Sequence, residues 1–283
     1  MKGRDGVLCL LTDTIDAGIL DAAKGARVFA NYAVGYDNVD VRAATKRGVL
    51  VTNTPGVLTE TAADMAWTLV MAAARRIVEG DRFVRKGRFH GWGPMILLGV
   101  DVCGSTLGIV GPGHIGTAVA RRAQGFGMTV LYAGPGSSDE IRRIGKETTL
   151  DDLLRRSDFV TLHVPLTEET RHLIGERELR LMKPSAILVN TSRGPVLDEK
   201  ALVRALKDHA IGGAGLDVYE EEPALAPGLA KLENIVLTPH AASATGATRG
   251  KMAVIAATNL LAALRGERPP NLVNPGVLGR RET

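Results

Sequence analysis

The hydrophobic positions of the chain gather into short continuous runs separated by helical patterns. Strand-length apolar runs stand at VLCLL (7–11), RVFA (27–30), VLVT (49–52), TLGIV (106–110), MTVLY (128–132), DFVTLHV (158–164), AILVN (186–190), AGLDV (214–218) and NIVLT (234–238). Runs that are apolar throughout, rather than alternating, belong to strands buried on both faces. Between them TAVARRA (117–123), LDDLLRR (150–156) and ALVRALK (201–207) place apolar residues at helical spacing, and Thr149 stands three residues before Asp152 as a capping signal. This alternation predicts an α/β chain whose parallel sheet is wrapped by helices on both sides.

The pattern breaks once, between about Pro55 and Gly104. A long helical segment, TETAADMAWTLVMAAARR (59–76), is followed there by RFVRKGRFHGWGP (82–94), whose glycines and proline forbid one regular helix. Residues 247–265 read as a closing helix, and RPPNLVNPG (268–276) ends the chain in extended form. The expected organisation is a smaller discontinuous domain, 1–56 with 244–283, and a second domain, 57–243, with ligands in the cleft between them.

Composition narrows the function classes. The chain has 283 residues, 45% hydrophobic and 23% charged, which is ordinary for a globular protein. Its formal charge of +4 comes from interspersed residues, so no basic face for nucleic acid is expected. The most apolar stretch, residues 65–74, is far short of the roughly 20 residues that span a bilayer. No secretory signal pattern opens the chain. Cys9 and Cys103 are too few and too far apart for a disulfide framework or a metal-ligand pair. Both read as buried small hydrophobes in a reduced, cytoplasmic setting, and no metal is expected.

The clearest chemical signal is TLGIVGPGHIG (106–116), where Gly111, Gly113 and Gly116 form G-x-G-x-x-G at a strand-to-helix junction. Gly111 allows the tight turn, Gly113 lets backbone N–H groups approach a pyrophosphate at the helix N-terminus, and Gly116 lets helix and strand pack closely. The next strand should end in the residue that reads the adenosine ribose, where an NAD site has an acid. Here that place holds Gly134, followed by Ser137, Ser138, Arg142 and Arg143. No carboxylate is there to repel a 2′-phosphate, so NADP is favoured over NAD.

Three further groups follow strands: Arg193 in NTSRGPVLDE (190–199), Glu222 in GLDVYEEEP (215–223) and His240 in LTPHAASAT (237–245). Singly, each is ordinary: a loop charge, one of three successive acids, a histidine after proline. Together with NYAVGYDNVD (31–40), VTNTPGVLTETAAD (51–64) and the glycine triplet, they make a chain that resembles the D-isomer-specific 2-hydroxyacid dehydrogenases, and within them the glyoxylate/hydroxypyruvate reductase branch. The resemblance runs over essentially the whole sequence.

That resemblance implies two Rossmann-like domains with parallel sheets, the smaller one binding substrate and the larger one the dinucleotide. It implies Arg193, Glu222 and His240 as catalytic residues, and the backbone N–H groups of Val34 and Gly35 as holders of the substrate carboxylate. It places His114, Ile115, Pro165, Thr191, Asp217 and Ala242 beside the cofactor with the three glycines, Gly134 and Ser137. Asp217 is expected at the nicotinamide carboxamide and Pro165 at the adenine. It further implies a homodimer joined through the nucleotide-binding domains. The chain departs from the family in lacking a first strand and helix of the smaller domain.

The chemistry fits these residues on its own terms. A 2-oxo acid offers a carboxylate and a carbonyl, and arginine presents paired planar donors to both. Protonated His240 can give its proton to the alkoxide formed as hydride reaches the carbonyl carbon. Glu222 would orient the imidazole and favour its charged form. The expected activity is NAD(P)H-dependent reduction of glyoxylate, hydroxypyruvate or 2-ketogluconate. The alternative is a dinucleotide-binding regulatory protein without turnover, or a shortened form with impaired activity.

Overall fold

The computed structural model describes residues 3–280. In chain order its elements begin with β1 (Gly6–Cys9), α1 (Ala17–Ala22), β2 (Val28–Asn31), α2 (Val41–Lys46), β3 (Leu50–Thr52), α3 (Thr59–Ala74) and α4 (Ile77–Arg85). They continue with β4 (Thr106–Val110), α5 (His114–Gln124), β5 (Thr129–Ala133), α6 (Asp139–Ile144), β6 (Lys146–Glu147), α7 (Leu150–Arg156), β7 (Phe159–Leu162) and α8 (Glu176–Leu181). Last come β8 (Ile187–Asn190), α9 (Glu199–Lys207), β9 (Gly213–Leu216), β10 (Ile235–Leu237) and α10 (Gly246–Leu264). Short polar side chains start the helices by accepting a backbone N–H two or three residues on. Asp16, Asp40, Ser138, Thr149, Asp198 and Thr245 cap α1, α2, α6, α7, α9 and α10 in this way.

The chain divides into two compact units, residues 1–58 with 243–283 and residues 59–242. The first holds a parallel three-stranded sheet in the order β1-β2-β3. Phe29 and Val51 face a cluster with Leu20 of α1 and Ala43 and Ala44 of α2, while Val28 and Leu50 face Ala263 of α10. Successive residues of a strand point to opposite faces, which is why β2 is apolar throughout. Among the described residues β1 pairs with β2 alone, and Leu8 and Leu10 are 46% and 48% exposed. The C-terminal extended segment is short: Val273 donates to the Val51 carbonyl, and a 3-10 turn then runs over Pro275–Arg280.

The second unit is a doubly wound parallel sheet of seven strands in the order β10-β9-β8-β7-β4-β5-β6. In β8, Ile187 and Val189 pack with Leu69 and Val70 of α3 and Val119 of α5, whereas Leu188 packs with Leu202 and Leu206 of α9. The order reverses beside β4, where the chain passes from β5 on one side to β7 on the other. In such sheets the crevice outside the strand C-termini at the reversal is the ligand-binding place.

Three details depart from the sequence reading. The helix expected over residues 59–76 stops at Ala74, and Arg76, at φ +51°, starts α4. α4 went unread because it buries no residue and contains Gly80. β6, two exposed polar residues at the sheet edge, carries no hydrophobic signal. Cys9 is buried, which with nearby Asp13 pushes its thiol up to about 11, but Cys103 is exposed, because it falls in the turn before β4 rather than in a strand. Among the described residues no helix is long and apolar enough to cross a membrane.

Candidate active site

The glycine turn follows β4 at the sheet reversal. Gly111 takes φ +95°, and a Cβ there would lie 2.8 Å from the His163 carbonyl carbon at the end of β7. A Cβ on Gly116 would lie 2.3 Å from the Gly111 carbonyl oxygen, so helix and turn touch through backbone. Around Gly113 the space is open. It is the N-cap of α5, and it supplies no side-chain cap. Among the described residues the N–H groups of His114, Ile115 and Gly116 find no acceptor, leaving a helix N-terminus with open donors and a positive dipole end. Thr191, at the end of β8, and His163 each bury a polar side-chain atom without a partner. Burial pushes His163 down to about 3, so its ring is neutral. Free amides, an open glycine and unpartnered buried polar atoms along one edge fit the phosphates and sugars of a dinucleotide.

Gly134 ends β5 at φ +112°, and a Cβ there would lie 3.5 Å from the Pro112 ring. The position expected to read the ribose therefore lies directly against the glycine turn and carries no acid. Ser137 accepts a hydrogen bond from Arg142 Nε at 3.2 Å, and the same guanidinium pairs with Asp139 at 3.1 Å. Pro165 is exposed beyond β7, its carbonyl accepting from Thr170 Oγ1 at 2.7 Å.

Arg193, Glu222 and His240 come together on the loops after β8, β9 and β10. His240 Nδ1 and Glu222 Oε2 are 2.8 Å apart, and the two side chains are only 30% and 31% exposed. Burial pushes the Glu222 carboxyl up, but the His240 hydrogen bond, the Tyr219 N–H at 3.0 Å and the charges of His240 and Arg193 outweigh it, so its pKa lies below the usual range. Asn190, fully buried, accepts from the Ser192 amide and hydroxyl and donates to the Arg193 carbonyl at 2.9 Å, which fixes the arginine's turn.

His240 has φ +51°, a left-handed conformation that costs a residue with a side chain of order 1–3 kcal/mol unless its surroundings hold it. Asp217 is what holds it. Fully buried, it accepts from Thr238 Oγ1 at 2.6 Å, the Ala241 N–H at 2.8 Å and the Ala242 N–H at 2.7 Å, while its carbonyl takes the His240 N–H. The Tyr219 hydroxyl donates to the Thr238 carbonyl at 2.8 Å, tying the Glu222 loop to the same turn. Sequence reasoning missed Tyr219 and the turn-holding task of Asp217. The only signal was their nearness to Glu222, since their partners are 19 to 25 positions away.

In the first unit, the Val34–Gly35 loop is held by its carbonyls. Asn53 Nδ2 donates to the Val34 carbonyl at 2.8 Å and Asn31 Nδ2 to that of Gly35 at 2.9 Å. The N–H groups of Val34 and Gly35 donate to nothing among the described residues. No group of three or more histidines, cysteines and acids among those residues is placed to hold a metal.

A glycine turn at the reversal of a doubly wound sheet, with a basic, an acidic and an imidazole side chain on the loops after three strands of the same sheet, is the arrangement of a dinucleotide-dependent oxidoreductase. The family model for the D-isomer specific 2-hydroxyacid dehydrogenase NAD-binding domain matches residues 67–242. A glyoxylate reductase of Korarchaeum cryptofilum is 60% identical over 98% of this chain and 85% of its own length. The crystal structure of the TT0316 protein of Thermus thermophilus superposes with a TM-score of 0.90 at 48% identity, over 96% of this chain and 86% of the other. An NADPH-dependent glyoxylate/hydroxypyruvate reductase of Sinorhizobium meliloti, solved with NADP and malonate, gives 0.88 at 34% identity, over 97% and 85%. The chain belongs to the D-isomer specific 2-hydroxyacid dehydrogenases, NAD(P)-dependent oxidoreductases.

Proposed function

We propose that this enzyme reduces glyoxylate, or a close relative such as hydroxypyruvate or 2-ketogluconate, to the D-2-hydroxy acid, with Arg193, Glu222 and His240 as its catalytic set. The observation that carries this is the 2.8 Å His240–Glu222 pair with Arg193 close enough to lower the glutamate's pKa. A bound nicotinamide dinucleotide supplies hydride. Everything else falls to the chain. Arg193 offers its paired donors to the carboxylate and carbonyl of the 2-oxo acid. Glu222, kept ionised, accepts from His240 Nδ1 and so turns Nε2 outward as the proton donor for the alkoxide. In the reverse direction the neutral ring takes that proton. Asp217 holds the turn that sets the ring in place.

The N–H groups of Val34 and Gly35, which donate to nothing among the described residues, suit the substrate carboxylate. His114, Ile115 and Gly116 would meet the pyrophosphate; Thr191, Pro165 and Ala242 complete the cofactor set. NADP is the preferred form, because Gly134 presents no acid and Ser137 with Arg142 stands ready for a 2′-phosphate. The identity of the Korarchaeum glyoxylate reductase and the NADP complex of the Sinorhizobium enzyme support the same choices. Initial rates with a panel of 2-oxo acids and both reduced cofactors test the reading. Fastest turnover is expected with glyoxylate or hydroxypyruvate and NADPH; absence of turnover with every 2-oxo acid would leave the regulatory alternative.

The same reading includes a homodimer. Beyond α4, Phe89, Trp92, Met95, Ile96 and Leu98 are 55%, 85%, 76%, 41% and 55% exposed. A contiguous segment of large exposed apolar residues marks a surface that another protein covers. A second copy of the chain is the partner proposed.

A further inference from the structure

The loops that carry Arg193 and Glu222 touch backbone to backbone. A Cβ on Gly194 would lie 1.8 Å from the Tyr219 carbonyl oxygen and 2.4 Å from the Glu220 nitrogen, so only glycine permits the approach. Five residues on, at the first turn of α9, stands Glu199, only 2% exposed. Its Oε1 accepts the Glu220 N–H at 2.5 Å and its Oε2 the Ala226 N–H at 3.1 Å. These two amides bracket the exposed segment that contains Glu222. Glu220 reciprocates, its Oε2 facing the Glu199 N–H at 3.4 Å, while its Oε1 lies 2.6 Å from His172 Nε2. His172 in turn donates its own N–H to the Pro195 carbonyl on the Arg193 loop.

A buried carboxylate is costly, and among the described residues this one pairs with no cation. Burial pushes its pKa up, the two amides lower it, and the nearby charges of Glu220 and Glu222 raise it further. The N-terminal dipole of α9 offsets part of that cost. Glutamine would avoid it, but would set an NH2 group against one of the two amides, which approach different oxygens.

We propose that Glu199 is a positioning residue that clamps both ends of the Glu222 segment against the Arg193 turn and so sets the Glu222–His240 pair. The proposal rests on the roles given above to Glu222 and His240. Glu199 is buried, and its carboxylate is engaged by backbone amides of the Glu222 segment.

The test combines Glu199→Gln with amide hydrogen exchange on the unaltered protein. In the variant one amide faces an NH2 group, the segment shifts, and kcat should fall by up to about 10². KM for the 2-oxo acid and the NADPH dissociation constant from fluorescence titration should stay within about twofold, because neither binding surface moves. Glu199→Gln combined with Glu222→Gln should be no slower than Glu222→Gln alone, since both act through one pair. Additive losses would overturn the proposal, as would an unchanged kcat. In the unaltered protein the Glu220 and Ala226 amides should exchange slowly although residues 221–225 between them are exposed. Rapid exchange there overturns the clamp even if the variant does not fold. The exchange arm is independent of catalysis: if no 2-oxo acid is turned over, the functional reading fails while the clamp is still judged.

Discussion

Replacing Glu222 by glutamine removes the negative charge beside the His240 imidazole and leaves the shape of the loop. The pair stands at 2.8 Å between Nδ1 and Oε2, placing the charge centres about 4 Å apart, where two unit charges at an effective dielectric constant near 20 interact by about 4 kcal/mol. Both side chains are about 30% exposed, so solvent screening reduces this to about 1–2 kcal/mol. About 1.4 kcal/mol of lost transition-state stabilisation is a factor of ten in rate. In the variant kcat for reduction of a 2-oxo acid should therefore fall about tenfold, with NADPH binding within about twofold of the unaltered enzyme. Absorbance of the reduced nicotinamide at saturating substrate measures the first, and fluorescence titration the second. An unchanged kcat, or a loss matched by an equal loss of NADPH affinity, would refute the assignment of the glutamate–imidazole pair.

Three other outcomes follow from single features. Arg142→Gln should weaken NADPH binding several-fold, of order 1 kcal/mol, and leave NADH nearly unchanged, because only the 2′-phosphate meets that guanidinium; equal effects in two titrations would remove the basis for preferring NADP. Arg142 is the cleaner site, since any side chain at Gly134 would be strained at φ +112°. Gly116→Ala puts a methyl 2.3 Å from the Gly111 carbonyl, and thermal unfolding should show a loss of about 1–3 kcal/mol together with weakened dinucleotide binding; unchanged binding would show that the turn does not hold the cofactor. Trp92→Ser with Met95→Ser should convert the dimer to a species of about half the mass by light scattering at low micromolar concentration, and an unaltered protein of 30.0 kDa in solution would reject the dimer itself.

Nine apolar runs sufficed to read nine of the ten strands among the described residues, most of them buried on both faces and so apolar at nearly every position. β6 escaped because an exposed edge pair has no such need, and α4 because a helix that buries nothing has no apolar stripe to show. In the site, the residues proposed to carry the chemistry stand out as motifs: Arg193, Glu222 and His240 each lie in a short distinctive stretch. What holds them does not. Glu199 looks like any acid in the first turn of a helix, and Gly194 like any loop glycine. Their meaning comes from a segment more than 20 positions away, a distance that no local pattern spans. His163 is the same kind of case: only the closed sheet shows that its ring is buried and neutral beside the glycine turn.

The most direct test of the account is the rate of glyoxylate reduction by His240→Ala with NADPH, measured beside the affinity of the same variant for NADPH. The unaltered enzyme should turn over glyoxylate, and the variant should lose about 10²- to 10⁴-fold in kcat, the worth of a positioned acid, while binding NADPH as before. Undiminished reduction by the variant would contradict the account.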